Sequence, residues 1–202
     1  MSDTVARIVA SHGKAYIVQT ADGMRRIASA RGKKTDFACG DAVAVKLINE
    51  EQAVIEKALA RKTLLYRSDQ WREKLIAANV TQIVIVVAPV PSWLDELIGR
   101  CLIAAEAAGI HPLICLNKCD LPEAAAARDK LAYYTRLGYD LIEVSALADV
   151  TPLRASLAGH TSVLVGQSGM GKSTLTNALI PDANARINDI SLALESGKHT
   201  TT

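Results

Sequence analysis

Gly166-Gln167-Ser168-Gly169-Met170-Gly171-Lys172-Ser173 follows a short apolar run, residues 162–165, and opens a stretch over 172–180 that carries helix-forming residues. A turn between a buried strand and a helix aims several backbone N–H groups at one point, beside the positive end of the helix dipole. That point suits a polyphosphate. Gly166, Gly169 and Gly171 permit the torsions and the close approach such a loop needs. Lys172 is then placed to reach the outer phosphates and the Ser173 hydroxyl to ligate Mg²⁺, with Gln167, Ser168, Met170 and Thr174 completing the loop and the first helical turn. A glycine-rich structural turn is the competing reading, and the strand–loop–helix context argues against it.

Upstream, Asn117-Lys118-Cys119-Asp120 follows the buried run 112–116, so it is expected at the carboxyl edge of a parallel sheet, where ligands bind in α/β folds. The Asp120 carboxylate can accept two hydrogen bonds from N1–H and the exocyclic amine of guanine. Adenine offers no such donor pair and would leave a desolvated charge unpaired. Asn117 can brace the two loops and the Lys118 stem can lie over the base. A third loop, Ser145-Ala146, comes one helix and one strand later; a backbone N–H there can meet guanine O6 while Ser145 supports Asp120. The tetrapeptide alone is also a common helix-capping turn, and it is the joint occurrence of three loops that points to a GTP site. In an ordinary GTPase the base-reading loop follows the phosphate loop. Here it precedes it, which reads as a circular permutation, since a site depends on spatial arrangement and a sheet can be cut and rejoined between strands. Asp120 also argues against the alternative of a phosphate-loop ATPase or kinase.

Outward from these loops, the chain changes texture twice. Residues 5–9, 15–20, 24–28, 42–48 and 53–58 are short alternating segments separated by Gly13, Asp22-Gly23, Arg31-Gly32 and Gly40-Asp41, the pattern of a small five-stranded barrel of oligonucleotide-binding type. A basic connector over 61–72 leads to buried runs at 83–87, 112–116 and 162–165, with a further strand expected over 140–144. These alternate with helical stretches at 94–109, 123–137 and 172–180. Such strands, buried on both faces, predict a mainly parallel α/β sheet. The expected division is a barrel domain over 1–66 and a nucleotide-binding domain over 67–202.

Composition narrows the class. In 202 residues half are hydrophobic and 22% charged, an ordinary globular balance, and no apolar run is long enough to suggest a membrane span or a cleaved leader. Cys39, Cys101, Cys115 and Cys119 lack paired metal-ligand spacing and read as reduced thiols of a cytoplasmic protein. The formal net charge of +2 is uneven: residues 1–66 hold 11 Lys/Arg against 7 Asp/Glu. Arg25, Arg26, Arg31, Lys33 and Lys34 either track nucleic-acid phosphates or form a solvated face. At the far end, a polar stretch over 181–196 leads to Gly197-Lys198-His199-Thr200-Thr201-Thr202, which reads as a switch loop closing on a γ-phosphate or as a frayed terminus.

These residues together resemble the circularly permuted, small-subunit-dependent GTPases of bacteria, the RsgA (YjeQ) family. The similarity runs through Gly40-Asp41-Ala42-Val43, Arg61-Lys62-Thr63-Leu64-Leu65-Tyr66-Arg67, Ala78-Asn79-Val80, residues 117–121, residues 166–174 and the Gly-x-His-Thr-Thr-Thr ending. It implies a GTPase that uses GTP/GDP and Mg²⁺, docks on the 30S ribosomal subunit through 16S rRNA with its barrel, and hydrolyses GTP when the subunit stimulates it; a monomer is the default expectation. His199 would orient the attacking water, and Thr201 or Thr200 would be the switch ligand of Mg²⁺. The family pattern continues into an Asp-x-x-Gly strand and a zinc-binding domain. No Asp here has Gly three positions later, so a truncated sequence without the zinc site is expected, with residues 161–165 left as an apolar sheet edge. For such a chain an RNA-binding nucleotide sensor with little turnover is the alternative.

Overall fold

The computed structural model describes residues 4–13, 15–32, 36–68 and 73–180. They form two compact units. One gathers the described residues up to Gln82 with Ala104–His111 and His160–Val163; the other contains Ile83–Ile103, Pro112–Gly159 and the described residues from Leu164 onward. The expected boundary between residues 66 and 67 falls inside a strand.

The first unit is built on a closed barrel of β1 (Thr4–His12), β2 (Ala15–Thr20), β3 (Arg25–Ala30), β4 (Ala42–Leu47) and β5 (Gln52–Ala58), in the order β1-β2-β3-β5-β4 with β4 closing on β1. β3 and β5 pair in parallel while the other registers are antiparallel. Alternation explains the closure: in β2 it is Tyr16, Val18 and Thr20 that are buried, and the first two meet Ile8, Val43, Val45 and Ile55 in the barrel core. Phe37 packs edge-on against Tyr16, 5.7 Å between ring centres. Bulges at Ile8/Ala10 and Ala44/Val45 let the strands bend into the barrel. The expected Asp22-Gly23 turn joins β2 to β3, with Gly23 at φ +84° and Asp22 Oδ1 accepting the Met24 N–H at 3.0 Å.

The basic connector is not irregular. Leu64–Ser68 (β6) and Glu73–Ala78 (β7) pair as an antiparallel hairpin. Its period-2 pattern is short and interrupted by charge, so the composition of the segment masks it. The residues that carried the resemblance converge where the hairpin meets the barrel. Asn79, at φ +56°, receives the Lys62 N–H on Oδ1 (2.8 Å) and donates from Nδ2 to the Gly40 carbonyl (3.0 Å). Gly40 must lack a side chain, since a Cβ would lie 2.1 Å from the Ala78 oxygen.

The second architecture is a four-stranded sheet of β8 (Gln82–Val87), β9 (His111–Leu116), β10 (Asp140–Glu143) and β11 (Ser162–Val165), in the order β10-β9-β8-β11. Its strands are parallel. β10 registers on β9 with Asp140 opposite Leu113 and Glu143 opposite Leu116. The His111 N–H meets the Thr81 carbonyl and the Asn117 N–H the Val87 carbonyl, so one offset holds along β8 and β9. Helices α1 (Asp95–Ala108), α2 (Ala124–Arg136) and α4 (Lys172–Leu179) match the expected spans within a residue or two. α3 (Thr151–Leu157), with Pro152 in its first turn, is too short for periodicity to reveal. Every residue of β8 is buried, as a central strand covered on both faces requires, whereas β11 lies at an edge among the described strands and is only half-buried. All four cysteines are free thiols, and burial pushes Cys115 up to about 12. Among the described residues no helix is long and apolar enough to cross a membrane.

Candidate functional site

Because the strands are parallel, the loops after β8, β9, β10 and β11 all leave from one edge of the sheet. The chain steps outward from β8 to β9 and β10 and then returns to the other side of β8 as β11. That reversal is a topological switch point, where an open α/β sheet forms its crevice. The loop after β11 is the glycine-rich one, and the loop after β9 carries Asn117 to Asp120.

Asn117 joins three of these loops. Its side chain is almost fully buried; Nδ2 donates to the Met170 carbonyl at 2.9 Å and Oδ1 accepts the Ala146 N–H at 3.1 Å. The amide sits against Gly171, where a Cβ would come within 2.3 Å of Nδ2. Gly171 is left-handed, at φ +88°, and immediately precedes α4. No larger residue fits that step without displacing the asparagine. Gly166 makes a second close approach, with a Cβ position 2.3 Å from the Val86 carbonyl oxygen. The glycines thus hold the loop against β8 on one side and Asn117 on the other.

Two lysines flank this seam. Lys118, at φ +60°, donates from Nζ to the Gly169 carbonyl at 2.9 Å and the Val90 carbonyl at 2.7 Å, so its stem runs across to the phosphate-type loop. Lys172 folds its ammonium over its own loop, donating to the Gly166 carbonyl at 2.8 Å and the Gln167 carbonyl at 2.7 Å. Burial lowers the pKa of both groups below the ordinary lysine value, with Asp120 partly opposing this at Lys118. A part-buried ammonium satisfied only by neutral carbonyls gains from an arriving anion.

Asp120 is exposed at the end of its turn, and Ser168 is exposed as well. Ser173 and Thr174 lie half-buried in the first turn of α4. Ser145 is buried, and the Ser145 and Ala146 N–H groups are engaged by the Asp149 carbonyl and Asn117 respectively. A contact from either to a base carbonyl would have to share or replace one of these bonds. His199, Thr200 and Thr201 lie outside the described residues. Sequence reasoning passed over the loop after β8, whose Val90 carbonyl holds Lys118 and whose Leu94 N–H meets Gln167 Oε1 at 2.8 Å. Backbone groups carry no residue-type signature, so no motif marks it. Met170, by motif only a loop position, is buried with Val84, Val86, Cys115 and Leu175 and anchors the loop in the core.

For a bound Mg²⁺, the chemistry of the donors fits. Among the described residues no group of three or more His, Cys, Asp or Glu forms a metal cage. A cation there would rely on the Ser173 hydroxyl and phosphate oxygens, the hard-oxygen surroundings that Mg²⁺ favours.

Comparison with known proteins shows the family and the fold. The RsgA GTPase family model matches residues 58–202. A small ribosomal subunit biogenesis GTPase RsgA of Neisseria meningitidis serogroup B is 58% identical over 202 residues, covering 100% of this chain and 66% of the relative. Its namesake in Nitrosospira multiformis is 54% identical over 196 residues, covering 96% of this chain and 63% of the relative. The chain therefore spans 66% or less of the length of these curated relatives. Among solved structures, YjeQ from Thermotoga maritima matches with a TM-score of 0.71 at 28% identity, over 90% of this chain and 66% of that one. YloQ, described as a circularly permuted GTPase, matches with a TM-score of 0.63 at 27% identity, over 89% and 65%.

Proposed function

The chain belongs to the RsgA GTPase family, and from that premise we propose that it binds GTP and GDP at the β8/β11 switch point and hydrolyses GTP in the maturation of the 30S ribosomal subunit. The observation that carries this reading is Asn117, whose one amide ties a guanine-reading loop to a phosphate loop. Asp120 reads the guanine edge, the Lys118 stem supports the base from its place on Gly169, and Ser145 and Ala146 form the third side. Residues Gly166, Gln167, Ser168, Gly169, Met170 and Gly171 supply the N–H cradle, with Lys172 reaching the outer phosphates and Thr174 continuing the helix whose dipole faces them. Mg²⁺, held by Ser173 and Thr201, would neutralise charge on the phosphates. His199 orients the attacking water. The barrel is the face that meets 16S rRNA, in a cytoplasmic protein that works as a monomer.

Asp120→Asn tests the base-reading role. The new amide presents one acceptor and one donor, matching xanthine rather than guanine, so preference should move toward xanthosine diphosphate by at least about 100-fold. Competition against a fluorescent guanine nucleotide reads the change, and an unaltered preference would remove Asp120 from the base site. Lys172→Ala should weaken GTP binding by about 10- to 100-fold while leaving the thermal midpoint within a few degrees, because a charged hydrogen bond is lost from the ligand and not from the core. Equal affinity in titration calorimetry would contradict the phosphate role. GTP turnover that does not rise on adding purified 30S subunits would reject the ribosomal part of the reading.

A further inference from the structure

We infer that Leu147 forms the second wall of the base site, covering the face of the guanine that the Lys118 stem leaves open. This rests on the nucleotide site proposed above and adds to it a residue that meets the flat of the base, where Asp120 reads its edge. Leu147 is 87% exposed, more than any other large apolar residue among those described. A lone exposed leucine is ordinary on a protein surface, so its place in the fold carries the argument.

The loop after β10 makes a tight turn. The Ala148 and Asp149 N–H groups both meet the Ser145 carbonyl, at 3.0 and 2.9 Å, and the Ser145 N–H returns to the Asp149 carbonyl at 3.1 Å, which leaves Ala146 and Leu147 at the head of the turn. These two residues have different surroundings. Ala146 gives its N–H to Asn117 Oδ1 and packs, with Val150 from the far side of the turn, against the core beneath the site. Leu147 stays outside. The neighbouring turn carries Asp120, also exposed, and is tied to the end of β10 by the Cys119 N–H on the Val144 carbonyl at 3.2 Å. In the strand order β10-β9-β8-β11 the base-reading turn follows β9, so the loop after β10 lies on one side of it and the loops after β8 and β11 on the other. Lys118 crosses to that second side, its Nζ on the Val90 and Gly169 carbonyls. A purine whose edge is held by Asp120 therefore has the lysine stem on its phosphate-loop side and Leu147 on its β10 side. Because the turn is closed by its own hydrogen bonds, the wall stands ready before a ligand arrives and little ordering is needed on binding.

Leu147→Ala should weaken GDP and GTP binding about tenfold, the loss expected when roughly 55 Å² of apolar surface is no longer covered. Leu147→Met keeps the apolar reach and should stay within about twofold of wild type. Inorganic tripolyphosphate has no base, so its affinity in titration calorimetry should be the same for both variants and wild type. The preference for guanine over xanthine should also hold, since a contact with the flat of the base does not sense the donors at its edge. The thermal midpoint of the Ala variant should stay within about 2 °C of wild type, as for an exposed side chain. Unchanged GDP affinity in the Ala variant, a Met variant as weak as the Ala one, or an equal loss of tripolyphosphate binding would each overturn the proposal, the last because it would mean a displaced loop in place of a lost wall. If the wild-type chain binds neither GDP nor GTP, the nucleotide site itself is rejected and the wall with it; normal wild-type binding with an indifferent Ala variant removes only the role of Leu147.

Discussion

Asn117→Ala is expected to abolish guanine-nucleotide binding and to lower the stability of the sheet unit by about 1–4 kcal/mol, since a buried group left without a partner costs about 1–3 kcal/mol and a part-buried one less. The groups are the Met170 carbonyl and the Ala146 N–H, both held by the one side-chain amide. The thermal midpoint should fall by roughly 5–20 °C for a domain of this size. Asn117→Asp separates shape from hydrogen bonding. It preserves an acceptor for Ala146 but sets a carboxylate oxygen against the Met170 carbonyl, so it should be no better tolerated than alanine. Thermal melts and nucleotide titrations of both variants check this, and a stable Asn117→Asp variant that still binds GDP would show that the three loops are held together by something else. The site is sensitive because Gly171 leaves no slack: the asparagine nitrogen occupies the space where any other residue would place its Cβ.

Arg61→Ala is expected to cost the barrel unit about 3–5 kcal/mol, the usual penalty for stranding one partner of a buried ion pair. The Asp41 side chain is wholly shielded from solvent. Arg61 Nε donates to its Oδ1 and Arg61 Nη2 to its Oδ2, each at 2.7 Å, and the Ala38 N–H adds a third bond at 2.8 Å. Arg61 also donates to the Asp36 carbonyl at 2.6 Å, so the guanidinium pins the approach to β4 as well as neutralising the carboxylate. The double change Asp41→Asn with Arg61→Met should cost less than Arg61→Ala alone, because no charge is then left in the core. Urea unfolding followed by a barrel-specific probe distinguishes the two. A single variant that loses under about 1 kcal/mol would mean that Asp41 is held by a partner other than Arg61.

Local pattern was enough wherever a segment's own residues decide its conformation. The barrel strands were legible because short strand-forming segments are set off by turn residues, and the glycines stand where the chain must turn. The buried runs of β8 and β9 and the helix-spaced apolar residues of α1 marked a parallel α/β sheet in the same way. The β6–β7 hairpin looks like a connector in sequence because its alternation is short and broken by charged residues. α3 leaves no trace because seven residues hold too little of a 3.6-residue period. The loop after β8 was invisible for another reason: it acts through the Val90 carbonyl and the Leu94 N–H, backbone groups that carry no residue-type signature.

The sequence by itself determined the inventory of the site, namely a glycine loop ahead of a helix, an Asn-Lys-x-Asp turn after a buried strand, and their exchanged order. Those features are local, set by which torsions glycine permits and which donors and acceptors each side chain bears. Only the tertiary structure decided that they meet. The return of the chain from β10 across to β11 brings two loops distant in sequence to the carboxyl ends of the strands that flank β8, and the fit of Asn117 against a bare Gly171 closes the seam. Contact across such a separation depends on strand order and on tenths of an ångström of packing, and neither is written in the spacing of residues along the chain.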